Sequence, residues 1–100
     1  MRAIIARLQQ YELIKPLTGF TPLGPISHVE VQPVKQYETY CEPCLLGEED
    51  FWSVYVRYDP AENKQQFGGV DCIADCSDAD AASNLADLIA RLLDVPVVGV

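Results

Sequence analysis

The sequence predicts an α+β fold, in which a small antiparallel sheet is packed on one face by a C-terminal helix, with an additional N-terminal helix. Residues 51–58 carry apolar side chains along one whole face of a strand pattern. Residues 77–94 repeat apolar side chains at the helical period. The 100 residues suffice for one modest core, so residues 1–100 are expected to form a single domain.

The N-terminal helix is predicted over residues 3–14, where apolar side chains recur near one face. Alternation along residues 4–8 leaves a strand open as the alternative. We expect this element to end at Lys15, because a residue that precedes a proline such as Pro16 is displaced from the α region. Residues 16–25 hold three prolines and two glycines, which indicates an irregular loop.

Three strands are predicted over residues 26–40, 51–58 and 67–76. Pro33 cannot donate to a ladder, so the first strand is expected to lie at an edge or to be bulged there. A turn over residues 59–66 joins the other two strands. In the last strand, side chains at alternate positions should share one face. That face comprises Val70, Cys72, Ala74 and Cys76.

The C-terminal helix begins at Ser77 or Asp78, either of which can cap it through a side-chain oxygen. Asp78 and Asp80 then lie in the first turn, where the helix dipole favours negative charge. Pro96 limits the helix end, and the residues after it form a short strand or pack as a tail. The apolar stripe comprises Ala82, Leu85, Leu88, Ile89, Leu92 and Leu93.

The formal net charge of −8 is carried by the last two thirds of the sequence. Residues 1–37 carry +2, whereas residues 38–67 and 68–100 each carry −5. Such a field repels nucleic acid and anionic lipid and favours a protein partner with a basic surface. No apolar run approaches the ~18 residues of a spanning helix, and the start lacks a signal-peptide pattern. We therefore expect a cytoplasmic protein that binds neither nucleic acid nor a membrane directly.

Two of the four cysteines form a Cys-Glu-Pro-Cys quartet at residues 41–44, which resembles a thioredoxin-type redox site. Such a site needs a helix directly after the quartet to stabilise the thiolate. Here a glycine and the acids Glu48, Glu49 and Asp50 follow, and nearby anions raise the pKa of a thiol. The pattern therefore disfavours redox chemistry.

The second interpretation of the cysteines is a structural zinc site, which needs four ligands. Cys72 and Cys76, four positions apart on a straight strand, would hold their sulfurs roughly 13 Å apart. Zinc would then require the strand to break at residues 74–75. We favour free cysteines and no cofactor, with zinc as the alternative. The alternative ligands are Cys41, Cys44, Cys72 and Cys76.

The sequence contains none of the common catalytic motifs, neither a glycine-rich phosphate loop nor a Gly-x-Ser-x-Gly elbow nor a His-Glu-x-x-His pair. His28 is the only histidine, and no partner for it is evident. We therefore expect a protein-binding module rather than an enzyme. Tyrosines near the acidic region support this expectation, because aromatic side chains are enriched at interface hot spots.

The half of the chain that runs from "FWSVYVRY" through "GGVDCIADCSDADAASNLADLIARLL" resembles the small acidic proteins of phages and other mobile elements. These include anti-CRISPR inhibitors of bacterial defence. The resemblance implies stoichiometric, non-enzymatic inhibition of a nucleic-acid-processing complex in the bacterial cytoplasm. Carboxylates would occupy a basic groove that otherwise holds nucleic acid.

We take the acidic residues and one tyrosine around the Cys-Glu-Pro-Cys quartet and the helix start as candidate partner-binding residues. They are Tyr40, Glu42, Glu48, Glu49, Asp50, Asp75, Asp78 and Asp80. Two alternatives remain open, a zinc-stabilised accessory domain and an antitoxin or immunity protein. The sequence does not indicate an oligomeric state.

Overall fold

The computed structural model describes residues 15–20, 22, 24–59 and 69–99, and its architecture confirms the predicted α+β class. A short N-terminal helix, α1, occupies the described residues 15–18. The further elements in chain order are β1 (Ile26–Gln36), β2 (Cys41–Pro43), β3 (Phe51–Tyr58), β4 (Val70–Cys76), α2 (Ala79–Leu93) and β5 (Val97–Gly99). The predicted helix at residues 3–14 and most of the turn at residues 59–66 lie outside the described residues.

The five strands form one sheet in the order β2–β1–β3–β4, and β5 also pairs with β1. All pairings are antiparallel except that of β5, which runs parallel to β1. β5 pairs with Val29, Glu30 and Val31, whereas β2 pairs from Val34 onwards. β1 is therefore an inner strand, contrary to the predicted edge position.

Pro33 occupies the gap between the stretches of β1 that β5 and β2 cover. Its carbonyl accepts the backbone N–H of Cys44 at 3.0 Å, so the outer side of β1 at this residue faces a loop rather than a strand. The proline thus removes no ladder hydrogen bond, which explains why an inner strand tolerates it. The irregularity of β1 lies between Ile26 and His28 instead.

The core lies between the sheet and α2. Val29 and Val31 of β1 face Val56 and Val54 of β3, and all four are at most 5 % exposed. These valines alternate with more polar residues, as the predicted faces of residues 51–58 required. We call the sheet face opposite α2 the second face.

The buried stripe of α2 is centred on small residues. It comprises Ala82, Ala86, Ile89, Ala90 and Leu93. Leu88, which the sequence pattern placed in the stripe, is 44 % exposed. Alanines let a helix backbone approach a sheet closely. The face of α2 that packs on the sheet is therefore the alanine-rich one, and Leu88 lies outside it. The predicted stripe was therefore partly wrong.

Both ends of α2 are capped. Asp78 is the N-cap, and its Oδ1 accepts the backbone N–H of Ala81 at 2.8 Å. The helix ends at Asp94, which adopts a left-handed conformation with φ 56°, and the N–H of Val95 donates to the carbonyl of Ala90 at 3.0 Å. This Schellman-type closure, rather than Pro96, ends the helix.

The end of α1 differs from the prediction. The N–H of Gly19 donates to the Lys15 carbonyl at 2.7 Å, so a helical turn continues past Pro16. Gly19 has φ 70° and supplies the left-handed residue that commonly follows a helix.

A bulge in β4 changes which cysteines share a face. Val54 pairs with Ala74, but Tyr55 pairs with Cys72, so Ile73 is an extra residue on β4. Cys72 therefore lies beside Tyr55 on the second face, whereas Cys76 lies beside Trp52 and packs against the core. The prediction that the two cysteines share a face was wrong, because strict alternation stops at a bulge.

Candidate functional site

Several strand and helix ends meet at one end of the sheet. The last residues of β1 pair with the first residues of β2 and β3. The pair Trp52–Cys76 places the end of β4, and with it the start of α2, beside the start of β3. Residues 35–50 and 75–80 are thus brought together, and we call them the acidic end.

The acidic end carries eight acidic side chains and one basic one, Lys35, for a formal charge of −7. The acidic residues are Glu38, Glu42, Glu48, Glu49, Asp50, Asp75, Asp78 and Asp80. All seven predicted carboxylates and Tyr40 therefore lie at this end, although they come from two separate stretches of chain. Glu38 belongs to the same end, although it was not among the predicted partner-binding residues.

The segment between β2 and β3 is fastened to β1 at both of its ends. At one end the backbone N–H of Cys44 donates to the Pro33 carbonyl. At the other, the N–H of Asp50 donates to the Val34 carbonyl at 2.8 Å, and the N–H of Gln36 donates to Asp50 Oδ2 at 2.8 Å. These contacts hold residues 44–50 along the end of β1.

A tight turn presents two leucines between those attachments. The N–H of Glu48 donates to the Leu45 carbonyl at 3.1 Å, and Gly47 has φ 92°, as the third residue of a type II turn requires. The Gly47 N–H donates to Glu49 Oε1 at 2.7 Å. Leu45 is 74 % exposed and Leu46 is 62 % exposed, so the turn is braced while its apolar side chains face water.

Two tyrosines stand on the neighbouring connection between β1 and β2. The N–H of Tyr37 donates to the Tyr40 carbonyl at 2.8 Å, and the rings stack with centroids 4.9 Å apart. Tyr40 is 55 % exposed. Partial removal from water, and then the Glu42 carboxylate, raise the pKa of the Tyr37 phenol, so the ring stays neutral.

We call Tyr37, Tyr40, Leu45 and Leu46 the apolar tip. Tyr40 was among the predicted partner-binding residues, whereas Tyr37 and both leucines were not. The available signal was a pair of large apolar residues followed by a glycine within an acidic stretch, "LLGEED". A leucine pair on a turn has no strand or helix face to pack with.

The carboxylates of the acidic end divide into structural and unengaged groups. Asp50, Glu49 and Asp78 accept backbone N–H groups, as described above. Asp75 accepts the Ser53 hydroxyl at 2.6 Å. By contrast, the side chains of Glu48 and Asp80 make no hydrogen bond to another described residue, so their charges are available to a partner.

All four cysteines lie among the described residues as free thiols. Partial burial, and then the Glu49 and Glu48 carboxylates, raise the pKa of the Cys44 thiol, which is the direction that the flanking acids predicted. Burial and the Asp75 carboxylate likewise raise the pKa of Cys72. Within the described part of the chain, no three side chains of His, Cys, Asp or Glu converge as metal ligands.

A polar network occupies the second face of the sheet. Glu30 Oε1 accepts Arg57 Nε at 2.7 Å and contacts His28 Nε2 at 2.7 Å. These contacts hold the pKa of the Glu30 carboxyl at about 2, with the Arg57 hydrogen bond as the main cause. Glu30 was not predicted as the partner of His28, although residues two apart on a strand share a face.

The same network links a hydroxyl, an imidazole and a carboxylate, because Ser27 Oγ lies 3.1 Å from His28 Nδ1. In a nucleophile relay the carboxylate orients the histidine and stabilises its protonated form. Here Arg57 shares the same Glu30 oxygen and compensates its charge. The arrangement therefore favours a cross-strand brace over an activated serine.

Comparisons of the chain with protein-family models, with curated proteins and with solved structures found no match. Among the described residues, no helix is both long enough and apolar enough to cross a membrane.

Proposed function

We propose that this protein is a non-enzymatic inhibitor that binds a nucleic-acid-processing protein in a bacterial cell, such as a component of a defence complex. Its acidic end covers a basic surface that otherwise holds nucleic acid. The observation that carries this proposal is the collection of eight carboxylates and one cation at one end of the sheet. A concentrated field of one sign steers association with a surface of the other sign.

The placement of the charges supports a binding role over a purely solubilising one. A charge excess that only keeps a protein in solution needs no particular location. Here residues 35–50 and 75–80 together carry a formal charge of −7, and the whole chain carries −8. Those charges lie on two braced connections and on the first turn of α2. The backbone positions of these charges are therefore held in an arrangement that a basic groove can match.

A pair of variants with equal charge change tests this role. E48K/D80N removes charge from the acidic end at two side chains without a described hydrogen bond. D87K/D94N makes the same +3 change along α2, and asparagine is tolerated at the left-handed position 94. Both variants should fold, so a difference between them reports location rather than net charge.

The assay uses the full chain as bait in bacterial lysate, followed by elution with heparin or with neutral dextran. The wild-type protein and D87K/D94N should retain a partner that heparin elutes and dextran does not. E48K/D80N should retain about tenfold less. The wild-type protein should also displace labelled nucleic acid from the purified partner. Equal retention by both variants, or a partner that still holds its nucleic acid, would contradict the proposal.

A further inference from the structure

We infer that the apolar tip anchors the interface by entering an apolar cleft that Lys and Arg side chains border on the partner protein. This inference rests on the proposed function and adds the chemistry of the partner surface. Its basis is the position of Tyr37, Tyr40, Leu45 and Leu46 within the acidic end, between 39 % and 74 % exposed. Single exposed apolar residues are ordinary, but four large ones on the two connections that flank β2 favour an interaction site.

The apolar tip is held in shape before any partner arrives. The leucine turn is closed by the Glu48–Leu45 hydrogen bond and braced by Glu49. The tyrosine rings stack on each other across a hydrogen-bonded connection. Little loop entropy is lost when such a surface binds, so the exposed apolar area contributes more of its burial energy to affinity.

The charges around the apolar tip determine what can cover it. A second copy of this chain would bring two ends of formal charge −7 together, which like-charge repulsion opposes. Anionic lipid and nucleic acid are repelled by the same field. A protein surface with an apolar centre and a basic rim complements both features, and it matches the usual anatomy of an apolar interface core with a polar rim.

The two parts of the surface have separable consequences. Salt screens the contribution of the carboxylates, because they are exposed. Burial of apolar side chains is not screened, so binding by the apolar tip persists when salt is raised. A purely electrostatic nucleic-acid mimic would instead lose affinity steeply, because the logarithm of its binding constant falls linearly with the logarithm of the salt concentration.

Two synthetic peptides serve as probes for the partner surface. The first is a short amphipathic helical peptide with a leucine face bordered by lysines, and the second replaces each leucine by serine at the same charge. Titration calorimetry at physiological salt should give the leucine–lysine peptide about tenfold higher affinity. Amide chemical shifts of residues 37–48 should move on its addition.

Matched variants assign that preference to the apolar tip. Y40S/L45S/L46S should remove the preference for the leucine–lysine peptide while it leaves binding of the serine–lysine peptide unchanged. The control L17S/L88S/V98S replaces three other exposed apolar residues and should retain the preference. E48K/D80N should lower the binding affinity of both peptides by the same factor.

The outcomes separate the two proposals. Equal affinity for the two peptides, or a preference that survives in Y40S/L45S/L46S, overturns the apolar anchor. If the peptides bind E48K/D80N as tightly as the wild-type protein, the basic partner surface of the proposed function is wrong. Absence of binding to either peptide contradicts both.

Discussion

The backbone N–H of Gln36 donates to Asp50 Oδ2 at 2.8 Å, and this bond fastens the residue before β3 to the last residue of β1. Asp50 also donates its own N–H to the Val34 carbonyl. The acidic side chain that looked like one member of a charged run is therefore a brace for the whole segment at residues 44–50. The neighbouring Glu48 side chain is the available charge.

Asp50→Ala should loosen this segment locally. With its acceptor lost, the Gln36 amide should exchange with solvent about tenfold faster, because local opening governs exchange at such positions. Hydrogen exchange followed by NMR measures this rate. Glu48→Ala removes an equal charge two residues away and should leave the Gln36 amide unchanged; equal acceleration in both variants would show that charge alone controls it.

Glu30 should make the stability of the fold depend on acid pH. The folded-state pKa of Glu30 is lowered from 4.5 to about 2. The carboxylate therefore stabilises the fold at pH values above its ordinary pKa. That contribution disappears as the pH falls towards the folded-state pKa. Arg57 is 41 % exposed, so solvent screening reduces the effect to about 2 kcal/mol.

Urea unfolding across this acid range tests the assignment to Glu30. The free energy of unfolding of the wild-type protein should fall further than that of Glu30→Gln, which cannot titrate. Other carboxylates titrate in both proteins, so only the difference between the two curves is informative. Parallel curves would place the acid sensitivity elsewhere.

Ile89 and Leu88 are adjacent on α2 but differ in what they contact. Ile89 is fully buried and Leu88 is 44 % exposed. Ile89→Ala should lower the free energy of unfolding by about 3 kcal/mol, because it leaves a cavity under the helix. Leu88→Ala should cost less than about 1 kcal/mol. Chemical denaturation measures both, and similar losses would contradict the alanine-centred stripe.

Sequence periodicity predicted those elements in which one rule holds from end to end. The apolar face of β3 emerged correctly because Val54, Val56 and Tyr58 alternate without interruption and are buried. The faces of β4 were predicted wrongly, because the sequence pattern does not reveal that Ile73 is an extra residue. The position of β1 inside the sheet depends on β5, whose residues pair with residues of β1 that lie 68 positions earlier in the chain.

The candidate site was predictable as a composition but not as an arrangement. The acidic residues before β3 and those at the start of α2 are visible in the sequence, and only the pairing of Trp52 with Cys76 brings them together. Leu45 and Leu46 were missed because the segment that carries them is fastened to β1 by long-range hydrogen bonds, from Cys44 to Pro33 and from Asp50 to Val34. Such bonds join residues that no local pattern relates.

The central claim is that the acidic end, with its apolar tip, is the surface that meets the partner. Carboxyl labelling and hydroxyl-radical footprinting, read by mass spectrometry on the free protein and on the partner complex, test it most directly. We predict protection of Glu48, Asp80, Tyr40 and Leu45, with Asp87 and Leu88 labelled as before. Protection of Asp87 and Leu88, with Tyr40 and Leu45 still labelled, would contradict the account.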